Sequence, residues 1–224
     1  MIKLIYCINR LPTLSVREFQ DYWFKTHGPI AGAIKGVKRY VQCHTLPETY
    51  NGGQSPPFDG CAQLWWSSPE AMAADSGSTE VRAALEDEKK FIDHGRVAMF
   101  VTREHEIMEG REEAGGLVKM IVCAQPRDDF DGDLTDYWLN KHAPLVAKLP
   151  GLRKYTVCLA EATEAIPAPQ FQGAAELYFD SLDAARAGFA SDEGKAAAED
   201  TAKFLDPATL RVFYTRERPV VEGR

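Results

Sequence analysis

Tyr22-Trp23-Phe24-Lys25-Thr26-His27-Gly28-Pro29 and Tyr137-Trp138-Leu139-Asn140-Lys141-His142-Ala143-Pro144 are two versions of one phrase, set 115 positions apart. The match extends outward from it. Gly36-Val37-Lys38-Arg39-Tyr40 falls on Gly151-Leu152-Arg153-Lys154-Tyr155, and Cys43 on Cys158. Further along the offset drops to 113, as a shorter loop in the second copy requires. There Gly60-Cys61-Ala62-Gln63-Leu64-Trp65-Trp66 matches Gly173-Ala174-Ala175-Glu176-Leu177-Tyr178-Phe179. Phe91-Ile92-Asp93 and Thr102-Arg103-Glu104 match Phe204-Leu205-Asp206 and Thr215-Arg216-Glu217. Two domain-sized copies mean a duplication and not a solenoid.

The 224 residues suffice for two domains with their own cores. A hydrophobic share of 45% and a charged share of 26% are ordinary globular values. The net charge of −7 argues against nucleic acid or an anionic membrane as a partner, since phosphate binding needs clustered Lys and Arg. No apolar run is long enough to span a membrane. The apolar stretch after Met1 is too short for a signal peptide and lacks a small-residue cleavage site, so a cytoplasmic location is expected. Five cysteines include no C-x-x-C pair, and Cys7, Cys43, Cys123 and Cys158 lie in apolar runs. They read as reduced, buried and inert.

Each copy has one coarse pattern. In the first, strands are predicted over 2–8, 37–45, 61–66 and 97–103. Ser15 opens a helix, with Glu18 completing a capping box. Val16, Phe19, Trp23 and Thr26 give that helix one apolar stripe, and Gly28-Pro29 should stop it. Ser68-Pro69-Glu70 opens further helical sequence, continued by Val81, Ala84, Leu85, Phe91 and Ile92. The order β-α-β-β-α-β is the ferredoxin-like, α+β arrangement. Residues 104–116 are charged, Gly-containing and read as a linker. The organisation expected is a first repeat over 1–106, a linker over 107–116, a second repeat over 117–218 and a tail over 219–224. Leu4-Ile5-Tyr6-Cys7-Ile8 and Met120-Ile121-Val122-Cys123-Ala124 are apolar on both faces, so helices on one side alone would leave apolar surface wet at about 25 cal/mol per Å². Packing of the two copies sheet to sheet, as a sandwich or closed barrel, answers this.

Trp23-x3-His27-Gly28-Pro29 followed by Gly36-x3-Tyr40, on the first helix and second strand of such a unit, resembles the EthD family of the dimeric α/β-barrel superfamily. The resemblance covers nearly all of the chain outside the linker and tail. It implies two EthD-like units fused so that one polypeptide builds the barrel. The protein would then be a monomer with an internal pseudo-dimer, or a homodimer of it. The family name implies little chemistry. Superfamily relatives include lactone isomerases, polyketide cyclases, quinone-forming monooxygenases and haem-binding proteins, and fold does not choose among them.

His27 and His142 each follow a Trp by four residues near a helix end facing the sheet. Each reads as a general acid/base at the helix–sheet cleft or as a cap for the last carbonyls. Tyr40, Gln42 and His44 share one face of a strand. His44 and His94 occur only in the first copy, where the second has Leu159 and Pro207; His44 reads as functional or structural and His94 as functional, a helix C-cap or an exposed residue, and the asymmetry suggests the first copy as the working half. Tyr155 matches Tyr40. Glu176 replaces Gln63 inside an apolar strand, where a carboxylate must be paired or have a raised pKa; it reads as an inter-sheet bond or a base. Trp23, Trp65, Trp66, Tyr6 and Phe100 read as core or as the wall of a pocket for a flat ligand. The loop over 46–59 reads equally as a lid or as a floppy connection. His27, His44, Tyr40 and His142 are thus the catalytic candidates. Trp23, Trp65, His94, Tyr155 and Glu176 are the substrate-binding ones. Phosphate-cradling, zinc-protease and nucleophile-elbow motifs are missing, and no metal or other cofactor is expected. The reading is a cofactor-independent acid/base enzyme, an isomerase, cyclase or lyase, acting on a small hydrophobic aromatic, lactone or polyketide-like compound. The alternatives are an accessory or binding protein for an oxygenase or catabolic pathway, and a haem-binding protein with an axial His.

Overall fold

The structure is a computed structural model that describes residues 1–51, 55–110, 116–164, 166 and 168–223. The first repeat contains β1 (Ile2–Ile8), α1 (16–32), β2 (Arg39–Thr45), β3 (Gly60–Trp66), α2 (Pro69–Asp75), α3 (Thr79–Glu88) and β4 (Ala98–Met108). The second contains β5 (Val118–Ala124), α4 (134–146), β6 (Leu152–Ala160), β7 (Gly173–Phe179), α5 (Leu182–Ala190), α6 (Asp192–Phe204) and β8 (Arg211–Val221). The β-α-β-β-α-β order holds in both, with its second helical segment divided in two. The strands hydrogen-bond in the order β1-β3-β2-β8-β5-β7-β6-β4 and close as an antiparallel barrel. Closure leaves no free strand edge.

The chain divides into two compact units. One holds 1–102, 162–169 and 217–224; the other holds 103–161 and 170–216. The long strands β4 and β8 each belong to one unit in their first part and to the other in their last. Two sequence expectations are corrected by this. Glu104–Met108, expected in or beside the linker, continues β4, and Pro219–Val221, expected as tail, continues β8. Charge misleads at the end of β4, where Glu104 and Glu106 point outward on alternate positions, and at the end of β8 Pro219 reads as a strand break. Linker residues 111–115 lie outside the described residues.

Ser15 caps α1 as expected: its hydroxyl accepts the Glu18 N–H, and the Glu18 carboxylate accepts the Ser15 N–H. Gly28-Pro29 does not stop the helix. Trp23–His27 forms a π-helical turn in which the Gly28 N–H donates to the Trp23 carbonyl five residues back, and Gly28–Gly32 then resumes the α-helix with Pro29 in its first turn. Proline fits a first turn because its missing N–H has no partner to lose there. The extra residue also rotates the helix register, so Thr26 is exposed and His27 is buried. Trp138–His142 forms the same π turn in α4, followed by Ala143–Val146. In the second segment, Ser68 and Ser78 cap α2 and α3 separately, and Leu85 is exposed instead of joining the apolar stripe.

The core of the first unit lies between helices and sheet. Phe19 and Trp23 of α1 pack with Val37, Tyr40, Leu64, Trp66 and Phe91. Trp138, Tyr155, Leu177, Phe179 and Phe204 form the counterpart in the second unit. In both, the Trp ring occupies the space that a side chain at the first residue of a strand would need. A Cβ on Gly60 would run into the Trp23 ring, and one on Gly173 would come within 2.7 Å of Trp138. Among the described residues no helix is long and apolar enough to cross a membrane, all five cysteines are buried, and none forms a disulfide.

Overpacking a filled core typically costs 1–3 kcal/mol. Gly60→Ala and Gly173→Ala should each lower the unfolding free energy by about that much, whereas Gly77→Ala, with open space around it, should change it by roughly 0.5 kcal/mol or less. Urea denaturation of the three variants checks this.

Candidate functional site

The π turn of α1 aims His27 into the first unit's interior, where it is 4% exposed. His27 Nδ1 stands 3.0 Å from Asp87 Oδ2, while the Tyr22 hydroxyl and Lys90 Nζ donate to Asp87 Oδ1 at 2.8 and 2.9 Å. Burial pushes Asp87 upward, but the hydrogen bonds from Lys90, Tyr22 and His27 outweigh it and hold the carboxyl below its ordinary value. The ionised carboxylate is an acceptor only, so Nδ1 carries the imidazole proton and Nε2 keeps its lone pair. Burial lowers the His27 pKa despite Asp87 and keeps the ring neutral. The second unit repeats the network. His142 Nδ1 lies 2.9 Å from Asp200 Oδ2, with Tyr137 and Lys203 on Oδ1 at 3.0 and 3.1 Å. Phe91 and Phe204 pack on the two imidazoles with centroids 4.9 Å away in both.

Above this shared network the units differ. In the first, Gln42 Nε2 donates to the Trp23 carbonyl and to the Tyr40 hydroxyl, each at 2.9 Å, and His44 Nε2 lies 3.0 Å from Gln42 Oε1. With its amide nitrogen spent on two acceptors, Gln42 presents oxygen to His44, so His44 Nε2 carries the proton. The His44 ring packs on Trp23 at 4.5 Å, and its Nδ1 is buried without a hydrogen-bond partner among the described residues. Burial, reinforced by the Arg218 charge, drives its pKa down to about 3. The second unit has Val157 and Leu159 at these places, and there the Tyr155 hydroxyl and Trp138 Nε1 are left without a partner among the described residues.

A third cluster exists only in the first unit. Glu88, at the end of α3, is 7% exposed; the Tyr6 hydroxyl donates to its Oε2 at 3.2 Å, and the half-exposed His94 places Nε2 3.6 Å from the same atom. Burial, with the neighbouring Asp87 charge, pushes Glu88 up to about 7. The matching residues of the second unit are Val122, Thr201 and Pro207.

The first unit thus buries Trp23, His27, Tyr40 and His44 between α1 and the sheet, while His94 lies at the partly exposed end beside Glu88. The expected His–His–Tyr cluster takes a different form. His44 joins Tyr40 through Gln42, while His27 turns to Asp87. His142 and Tyr155 hold the equivalent positions in the second unit. Trp65 stands apart from these side chains, between the cations of Lys3 and Arg39 at 4.9 and 4.8 Å. Glu176 also faces away from its unit's histidine, in a buried ion pair with Lys119 at 2.8 Å. Of the loop over 46–59, Pro47–Tyr50 forms a short helical turn and the Tyr50 hydroxyl donates to Asp59 at 2.6 Å; Gly52 and Gly53 lie outside the described residues. Asp87, Asp200 and Glu88 escaped the sequence reading. The signal for each was available in the register: Asp87 recurs as Asp200, and Glu88 changes to Thr201.

The EthD domain family model matches residues 11–95 and 131–208, which include both Trp–His turns and both aspartates. The chain belongs to the EthD family. An uncharacterized 11.0 kDa protein of Rhodococcus erythropolis, from the thcB–thcC intergenic region, is 32% identical over 97 residues, covering 43% of this EthD chain and 91% of that protein. Over nearly the full length, this EthD protein resembles an anthrone oxidase-like protein, with a TM-score of 0.67, 14% identity, and coverage of 99% of this chain and 93% of the other. It also resembles the chlorite dismutase of Candidatus Nitrospira defluvii, with a TM-score of 0.52, 10% identity, and coverage of 98% and 92%. At these identities the two structures show the shared fold alone.

A folded-state pKa of about 3 for His44 means that the unfolded chain takes up this proton below about 6.5 and the folded chain does not. The lowered folded pKa therefore costs stability as pH falls through that window. His44→Leu, which copies the second unit, should lose less stability than the wild type between pH 7 and pH 5, by about 2 kcal/mol. Denaturant unfolding at the two pH values measures the difference.

Proposed function

We propose that this EthD protein is a cofactor-independent acid/base enzyme of the isomerase, cyclase or lyase type, working in the cleft of its first unit. The observation that carries the reading is the neutral His27, whose Nδ1–H is held by Asp87 and whose Nε2 lone pair is left for a substrate proton. A base oriented by a carboxylate and buried away from water is suited to abstracting and returning a proton near neutral pH. Tyr40 and His44, linked through Gln42, are the assisting groups, and Trp23 supplies an aromatic wall. The compound would be a small, largely apolar ring such as a lactone, a phenol or a polyketide-like intermediate. His142 and Tyr155, lacking a Gln or second His beside them, hold the second unit's architecture. Electron transfer has no part in this scheme: the proton leaves one atom of the compound and returns to another.

A panel of aromatic, lactone and polyketide-like compounds, followed by chromatography and proton exchange from deuterated solvent, tests the reading. Turnover of the best substrate should fall about 10²–10⁴-fold in His27→Gln and stay within about threefold in His142→Gln. Thermal melts confirm that each variant is folded. Undiminished turnover in folded His27→Gln overturns the assignment. A compound that raises the melting temperature without conversion favours a binding role instead.

A further inference from the structure

We propose that Tyr6, Glu88 and His94 form a docking and proton-exchange site for a phenolic or enolic hydroxyl, opening to solvent at His94. The inference rests on the reading of the first unit as the working half and gives that site a ligand class.

Four observations support it. Glu88 is buried, yet no described residue bonds its Oε1; Tyr6 and His94 both address Oε2. Oε1 is not sealed from solvent, so a carboxyl oxygen that meets no protein donor is left for water or for a donor from a ligand. The charged and titratable groups facing Glu88 are already committed. Asp87, beside it on α3, has both oxygens occupied by Tyr22, Lys90 and His27. From β1 and β2, Tyr6 and Tyr40 face it as neutral phenols, both with pKa values raised by burial. With Lys90 offsetting Asp87, a neutral donor suits the site better than a cation or an anion. His94, 45% exposed in its side chain and 3.6 Å from Glu88, gives the proton a way to bulk water. Finally, all three residues are absent from the matching positions Val122, Thr201 and Pro207, although the second unit keeps the same helix and the same His–Asp pair. Core packing alone therefore does not require them.

The step balances without an oxidant. The Glu88 carboxylate takes the hydroxyl proton of the ligand, giving an enolate or phenolate and a neutral carboxyl, and the proton returns to the ligand or leaves through His94.

Binding of 2-naphthol to the full chain, followed by fluorescence from pH 6 to pH 8.5, tests the site apart from turnover. Affinity should tighten about tenfold as Glu88 ionises, and Glu88→Gln should bind with a flat profile. Glu88→Thr with Tyr6→Val, which reproduces the second unit, keeps the test informative if Gln packs poorly. His94→Leu should weaken affinity less than Glu88→Gln does and should slow deuterium exchange of a converted substrate. The proposal is overturned if 2-naphthol fails to bind the wild type, if benzylamine binds more tightly, or if the pH profile is the same in wild type and a folded Glu88→Gln. A Glu88-dependent profile with no conversion of any ring compound would remove the enzyme reading and leave the site. Loss of turnover in His27→Gln with an unchanged Glu88→Gln would do the reverse.

Discussion

The indole of Trp23 seated over Gly60 is the contact on which the packing of α1 against the first unit's sheet depends. The ring fills the space above the first residue of β3, which only a residue without a Cβ leaves open. The same Trp begins the π turn, accepts the Gly28 and Gln42 N–H groups through its carbonyl and stacks on His44. The ring and the carbonyl of one residue therefore meet the sheet, the π turn, Gln42 and His44. Trp138 and Gly173 repeat the arrangement in the second unit, so it belongs to the fold that was duplicated.

Duplication separates scaffold from specialisation. The Trp–Gly contact, the π turn, and the His–Asp–Tyr–Lys network occur in both units with hydrogen-bond lengths within 0.2 Å of each other. Gln42, His44, Tyr6, Glu88 and His94 occur once. The single-copy groups have consequences for the shared ones. Gln42 satisfies the Tyr40 hydroxyl, while in the second unit Val157 leaves Tyr155 without that donor. A buried hydroxyl without a partner costs about 1–3 kcal/mol. In the second unit the polar neighbour of the Tyr155 hydroxyl is the Trp138 side chain.

Much of the fold was legible in the sequence because its signals are local or repeated. Ser15 and Glu18 specify a helix start by themselves, and two matching sets of strands and helices specify the ferredoxin-like order. The π turn was not legible, since its one-residue insertion shows only as Thr26 turning outward and His27 inward. The end of β4 was hidden by its charge and that of β8 by Pro219. In the site, histidines drew attention because their ordinary pKa lies near neutrality. Asp87 and Glu88 did not, because adjacent acidic residues near a helix end usually mark a solvated face. Their burial comes from tertiary packing against α1 and β1, which periodicity does not register.

The two acidic neighbours show how one environment divides two identical functional groups. Asp87 and Glu88 are consecutive and both buried, but Asp87 receives three donors, one of them a lysine ammonium, and stays ionised. Glu88 receives one phenol and remains near the point of gaining or losing its proton at neutral pH. Asp87 already holds the negative charge, so ionising Glu88 beside it would place two like charges in one buried site. The arrangement gives an ionised carboxylate that orients His27 and a second carboxyl poised to change state. In the second unit Asp200 keeps the orienting role, and Thr201 cannot take the other.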